Sequence, residues 1–204
     1  MTLLRLVLAR HAQTTANAEG ILDTRLPGYP LTEEGHHQAA ELAQRLAGEP
    51  VVAVYASRAL RALQTAQPVA ACHGLVAQVL DGVHEVSIGD LEGCREPGAH
   101  RRLHELYRTW HYGDLEAAQP GGESAKQVLD RYLADVAVIR SAHRDGTAVL
   151  VSHGAAIRLA VVALAANIDG SFAAPRLLSN TTTVLLQTDG AGWRCLRWDD
   201  IELG

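Results

Sequence analysis

The sequence predicts a three-layer α/β/α sandwich around a mostly parallel central sheet. Three observations predict it. Mostly apolar runs of strand length recur at residues 3–9, 51–57 and 147–153, the pattern of strands buried on both faces. Segments with helical spacing or helical boundary signals separate these runs, and strand alternating with helix is the mark of βαβ units. The chain has 204 residues, 48% hydrophobic and 20% charged, enough for one buried core without covalent staples. Aromatic residues make up 4% of it, so the core must be built mainly of Leu, Val and Ala.

Each element follows in order. Residues 3–9 form the first strand. The stretch from Asn17 to Gly35 carries glycines, prolines and polar residues and reads as an ordered loop. Thr32 is a helix N-cap with Glu33 and Glu34 in the first turn, and that helix runs to a stop at Gly48. A second strand covers residues 51–57, a helix containing Pro68 leads to Gly74, and residues 75–80 form a short third strand. Residues 81–122 are polar and helix-prone. Val128, Tyr132, Val136 and Ile139 lie at helical spacing. A strand at 147–153 leads straight into an apolar core helix over 155–168, and residues 181–188 and 193–198 form a hairpin around Asp189–Gly192. No repeat or linker interrupts residues 1–204, which read as one domain with an insertion at about 93–122 covering one end of the sheet.

Bulk properties exclude several functions. A net charge of −5 provides no basic field for nucleic acid. Three cysteines, Cys72, Cys94 and Cys195, form no C-x-x-C pair, which disfavours a disulfide framework or zinc knuckle and fits a reducing cytoplasm. Arg5 and Arg10 interrupt the N-terminal apolar stretch, unlike a signal peptide, and residues 155–168 are too few to span a bilayer and include Arg158. The expectation is a cytoplasmic protein with no membrane partner. Exposed edges such as the terminal hairpin could pair two copies into a homodimer.

The chemistry lies where strands end. In an open α/β sheet, ligands bind beyond the carboxyl ends of the strands. One strand ends on Arg10 and His11, another on His153 followed by Gly154, and a third leads into a helix with Arg58 and Arg61 in its first turns. If these strands are neighbours, two histidines and at least one arginine converge. Helix N-termini and arginine forks would make that point an anion site, and a neutral imidazole there can act as a nucleophile. Either histidine taken alone reads more simply as structural. His36 and His37 read as solvated. His100, His104 and His111 lie near one helical face, but without a carboxylate cluster they do not make a metal site.

Six motifs in order then resemble the histidine phosphatase superfamily, the phosphoglycerate mutase-like branch-1 proteins. They are "RHAQTTAN" (Arg10 to Asn17), "PLTEEGHHQA" (Pro30 to Ala39), "SRALRALQTA" (Ser57 to Ala66), "HEVSIGDLEG" (His84 to Gly93), "PGGES" (Pro120 to Ser124) and "VSHGAAIR" (Val151 to Arg158). The resemblance selects Arg61 over Arg58 and singles out Glu85. It implies that His11 attacks phosphorus, that Arg10, Arg61 and His153 clamp the phosphoryl oxygens with Asn17 and the Gly154 amide, and that Glu85 serves as acid and then base. It implies no cofactor and no metal, with arginines and a cationic histidine in place of one, and a small phosphorylated substrate. Burial and phosphate charge would raise the Glu85 pKa toward its acid role.

The mutase-type stretch after the acid is absent, which favours a phosphomonoesterase. The alternatives are a mutase-type phosphotransferase and a weak relative that binds phosphorylated ligands. Specificity would come from the cap at about 93–122, where Arg95, Arg101, Arg102 and Arg108 either grip a second anion or form a solvated helix face, the second being favoured for most of them. Ala12 departs from the family pattern, which has glycine there. If that position needs φ > 0, alanine costs about 1 kcal/mol.

Overall fold

The computed structural model describes residues 3–188 and 192–204. Its elements are β1 (Arg5–Arg10), α1 (Thr15–Ala18), α2 (Glu33–Leu46), β2 (Val51–Ser57), α3 (Leu60–Cys72), β3 (Gln78–Leu80), α4 (Pro97–His111), α5 (Ala125–Ala142), β4 (Thr147–Ser152), α6 (Gly154–Leu164), α7 (Gly170–Ala173), β5 (Thr183–Thr188), β6 (Trp193–Trp198) and β7 (Ile201–Glu202), with a 3₁₀ turn at Gly89–Leu91. The sheet order is β3-β2-β4-β1-β5-β6-β7. The pairs β3–β2, β2–β4 and β4–β1 are parallel; β1–β5, β5–β6 and β6–β7 are antiparallel.

The continuous apolar runs are explained by burial on both faces. In β1, Leu6 and Leu8 point into the core beneath α5 and α6, while Val7 and Ala9 point toward α2 and α3. β2 and β4 repeat the alternation: Tyr55 and Leu150 lie on the first face, Val54 and Val149 on the second. Period-2 geometry sends successive side chains to opposite faces, so a strand covered on both sides must be apolar at every position.

Helix boundaries follow local chemistry. Thr32 caps α2 by accepting the Gly35 N–H (2.9 Å). Ser124 and Gln127 form a capping box at α5. Gly35 is required for close approach, since a Cβ there would lie 2.1 Å from the Gln13 carbonyl. This contact docks the start of α2 against the loop after β1.

Several expectations need correction. The third strand is shorter than residues 75–80, because only Gln78–Leu80 pair with β2. The core helix ends at Leu164 rather than near 168. The terminal hairpin is present as β5–β6; β7 pairs with Arg197 and Trp198 of β6, and residues 165–167 bond to Trp193 and Cys195, so little of its outer side is an open edge. Its turn at 189–191 lies outside the described residues. Among the described residues no helix is long and apolar enough to cross a membrane.

Candidate active site

Parallel pairing of β1 with β4 sets Arg10 beside Ser152, so the next residues, His11 and His153, emerge side by side with ring centroids 5.2 Å apart. Arg61 reaches the same point from the first turn of α3 and is 2% exposed. A cavity of about 210 Å³ opens there, lined by Arg10, His11, Asn17, Arg61, Glu85 and Gly154 among others.

The state of His11 is set by its neighbours. Its Nδ1 lies 2.8 Å from the Ala12 carbonyl. A carbonyl only accepts, so Nδ1 carries the proton and Nε2 keeps its lone pair. Burial lowers the His11 pKa well below the ordinary value, and the guanidiniums of Arg61 and Arg10 lower it further. The ring is therefore neutral at pH 7 and nucleophilic at Nε2.

Ala12 is fully buried against Leu31 and Ala39, and its φ is not positive. Its N–H donates to Thr65 Oγ1 (3.0 Å), whose hydroxyl donates to the Arg61 carbonyl (2.7 Å). Alanine here carries no backbone strain, and the methyl occupies packed space. A separate set of bonds orients Asn17: its Oδ1 accepts the Thr14 N–H (3.1 Å) and Asn180 Nδ2 (3.3 Å), which leaves its own NH₂ to the cavity.

His153 departs from expectation. Arg61 Nε donates to its Nδ1 (3.3 Å), and its Nε2 faces Ser57 Oγ at 2.7 Å. A guanidinium only donates, so His153 is the neutral Nε2–H tautomer. Burial, Arg61 and His11 all lower its pKa. The histidine expected to be cationic is neutral here, fully buried, and braces Arg61 from behind.

Glu85 lies across the cavity at the N-terminus of α6. Its carboxylate accepts N–H bonds from Val86 (3.0 Å), Ala155 (3.1 Å) and Ala156 (3.0 Å). The preceding amide, Gly154 N–H, has no protein partner among the described residues and opens on the cavity. Arg10 Nη1 donates to the Leu178 carbonyl (2.5 Å).

The far wall comes from α4, whose spacing places His100, Leu103, His104 and Tyr107 toward the cavity. Arg101, Arg102 and Arg108 are exposed on the other side, and Arg95 pairs with Glu19 at the surface. Arg58 also stays outside, paired with Asp81. Burial holds the Tyr107 hydroxyl well above its ordinary pKa, so it keeps its proton. Among the described residues no group of three or more His, Cys, Asp or Glu is placed to hold a metal.

Sequence reasoning missed Asp23, Ser57, Thr65, Tyr107, Arg158 and Asn180. Asp23 binds Arg61 Nη1 at 3.2 Å with 11% side-chain exposure. Arg158, 4% exposed, spends Nε and Nη2 on the Ala173 and Ala174 carbonyls and still lines the cavity. Asn180 Nδ2 donates to the His11 carbonyl (2.9 Å). Ser57, Thr65 and Arg158 sat inside quoted motifs without a role being read from them; Asp23, Tyr107 and Asn180 meet the site through tertiary contacts.

A neutral imidazole beside the buried Arg61 and the half-buried Arg10, with a carboxylate opposite, has the groups that phosphoryl transfer calls for. The family model for the histidine phosphatase superfamily (branch 1) matches residues 6–201, and the chain belongs to that superfamily. A metal-independent phosphoserine phosphatase of Arabidopsis thaliana is 30% identical over 199 residues, covering 96% of this chain and 81% of its own. Phosphoserine phosphatase 1 of Hydrogenobacter thermophilus is 30% identical over 166 residues, covering 79% and 76%. A mycobacterial glucosyl-3-phosphoglycerate phosphatase solved with VO₃ superimposes with a TM-score of 0.82 at 28% identity, covering 96% of this chain and 98% of that one. Phosphomonoester hydrolysis is the activity that family and fold support.

Proposed function

We propose that this chain hydrolyses a small phosphomonoester through a phosphohistidine on His11. The observation that carries the reading is the Nδ1–H bond to the Ala12 carbonyl, which leaves Nε2 unprotonated at the wall of a cavity where Arg10 and Arg61 meet. In the first step the Nε2–P bond forms as the P–O ester bond breaks, and Glu85 gives its proton to the departing oxygen. In the second, Glu85 takes a proton from water, the water O–P bond forms and the N–P bond breaks. Arg10, Arg61, the Asn17 amide and the Gly154 N–H hold the phosphoryl oxygens throughout. His153 contributes by bracing Arg61 and lying beside His11.

The segment at about 93–122 acts as a cap that reads the substrate through Leu103, His104 and Tyr107. A cavity of about 210 Å³, below the roughly 300–1,000 Å³ of drug-sized clefts, suits a phosphoryl group on a body of a few carbons. The relatives named for phosphoserine and glucosyl-3-phosphoglycerate support a phosphorylated metabolite as substrate. The reducing character read from three free cysteines supports a cytoplasmic setting.

The test uses a ³²P-labelled panel of sugar phosphates, phosphoglycerates and an aryl phosphate. The expected outcome is label trapped on His11 by acid-free quench and then released to water. Transfer to a second substrate would replace hydrolysis with a mutase reaction. No label and no turnover above His11→Ala would overturn the enzyme reading.

A further inference from the structure

Outside the cavity, one buried ion pair grips the segment that carries Glu85. Arg131, from α5, donates through Nη1 to the carbonyls of Gly82 (2.5 Å) and His84 (2.8 Å), and through Nη2 to the carbonyl of Glu85 itself (3.1 Å). The same guanidinium forms a two-point bond with Glu123, Nε to Oε1 at 2.9 Å and Nη2 to Oε2 at 2.8 Å. Glu123 in turn accepts the Ser87 N–H (2.9 Å) and its own N–H donates to the Ser87 carbonyl (2.8 Å). Both side chains are largely buried, at 16% and 22% exposed. The Glu123 strap also needs the flat backbone before it, since a Cβ at Gly122 would lie 2.6 Å from the Ser87 carbonyl.

A lone arginine can stabilise a loop, but this one takes three carbonyls within four residues. Burial works to raise the Glu123 carboxyl, and the Arg131 fork with the Ser87 amide outweighs it, so Glu123 stays ionised below the usual carboxylate range. The carboxylate of Glu85 is seated separately, on the amides of Ala155 and Ala156. The acid is thus located from two sides: its head by α6, its backbone by α5.

We infer that Arg131 and Glu123 work as one positioning unit for Glu85, so that losing either impairs proton transfer and spares the attack of His11. This rests on the proposed roles of His11 and Glu85. Neither residue touches substrate, so the effect must depend on how much the leaving group needs a proton. An alkoxide needs it, and general acid–base help is worth about 10²–10⁴-fold. A nitrophenolate departs without it, which leaves only the second step, activation of water, dependent on Glu85.

The experiment compares wild type, Arg131→Lys and Glu123→Gln by stopped flow on an alkyl phosphate and on 4-nitrophenyl phosphate. Expected is a loss of about 10–100-fold in kcat on the alkyl ester. With the aryl ester, the nitrophenol burst stays within about threefold of wild type and the slow phase after it falls. In a Glu85→Gln background either substitution should add less than about threefold, because a shared role is not additive. Equal losses in burst and slow phase, a loss independent of leaving group, or full additivity with Glu85→Gln would overturn the inference. If Arg131→Lys does not fold, Glu123→Gln, which keeps shape and removes charge, decides alone. Failure of wild type to turn over either ester would instead count against the proposed function.

Discussion

The two walls of the cavity are built on different terms. On the sheet side, Arg10, His11, Asn17 and Arg61 are each tied to protein by hydrogen bonds to a carbonyl, a hydroxyl, an amide or a carboxylate. On the α4 side, His104 and Tyr107 face the cavity with no hydrogen bond to protein among the described residues. The first wall is preorganised, so its donors need no rearrangement as charge develops on a phosphoryl group. The second offers unspent polar atoms that a substrate can engage. On the proposed function, one wall serves the reaction and the other the choice of substrate.

Breaking the sheet-side wall should cost most. His11→Ala removes the nucleophile, and kcat is expected to fall by about 10⁴-fold or more, measured by phosphate release. Arg61→Ala removes a donor aimed at the phosphoryl oxygens, with an expected loss of about 10²–10³-fold in kcat. Asp23→Asn weakens the partner of the same guanidinium and should lose about tenfold. If Asp23→Asn matched Arg61→Ala, Asp23 would be acting on substrate directly and the division between the walls would blur.

The cap wall should respond differently. Tyr107→Phe removes one hydroxyl donor, with an expected rise in KM of about 3–10-fold, about 1 kcal/mol of binding. The ranking of substrates should change with it. A fall in kcat alone, with unchanged KM across the panel, would assign Tyr107 to the reaction.

Acid should weaken the fold through histidines that burial holds neutral. His11 and His153 have pKa values lowered well below 6.5 in the folded chain, and burial lowers His111 to about 4. The unfolded chain then binds more protons than the folded one below about pH 6.5, so stability is present above that pH and is lost as pH falls. Thermal melting at pH 7.5 and 5.5 should show a lower Tm at the acid end. His111→Asn should reduce the difference.

The smallest effect belongs to Ala12. Its φ is ordinary and its methyl is buried, so Ala12→Gly should destabilise by about 1 kcal/mol, a fall in Tm of about 2–4 °C. The rate should change by less than about threefold. A gain of several orders of magnitude would mean that alanine disables the site.

Much of this was legible in the chain. The doubly buried strands announce themselves by nearly continuous apolar runs, and Thr32 with Glu33 and Glu34 marks a helix start by chemistry that acts over three residues. Six ordered motifs are enough to select His11, Arg61 and Glu85. What stayed hidden depends on partners far apart in sequence. Asp23 and Arg61 are 38 residues apart and Asn180 and His11 are 169, and no periodicity encodes such pairs. The solvated face favoured for most of the cap arginines is what the structure has, but which residues turn inward stayed hidden for a related reason. Composition shows cations in the segment, but only the packing of α4 decides that Leu103 and Tyr107 turn inward while Arg101, Arg102 and Arg108 turn to solvent.

The sequence by itself determined the architecture, the choice of His11 as the candidate nucleophile and the clustering of charge at strand ends, because strand period, capping and motif order are local properties of the chain. Only the tertiary structure decided the working state of those groups. It set which nitrogen of His11 carries the proton, turned His153 from a cationic ligand into a neutral brace, and held Glu85 between the amides of α6 and the Arg131–Glu123 pair. Protonation and orientation follow from burial and from the few atoms within hydrogen-bonding reach, and those neighbours exist only once the chain has folded.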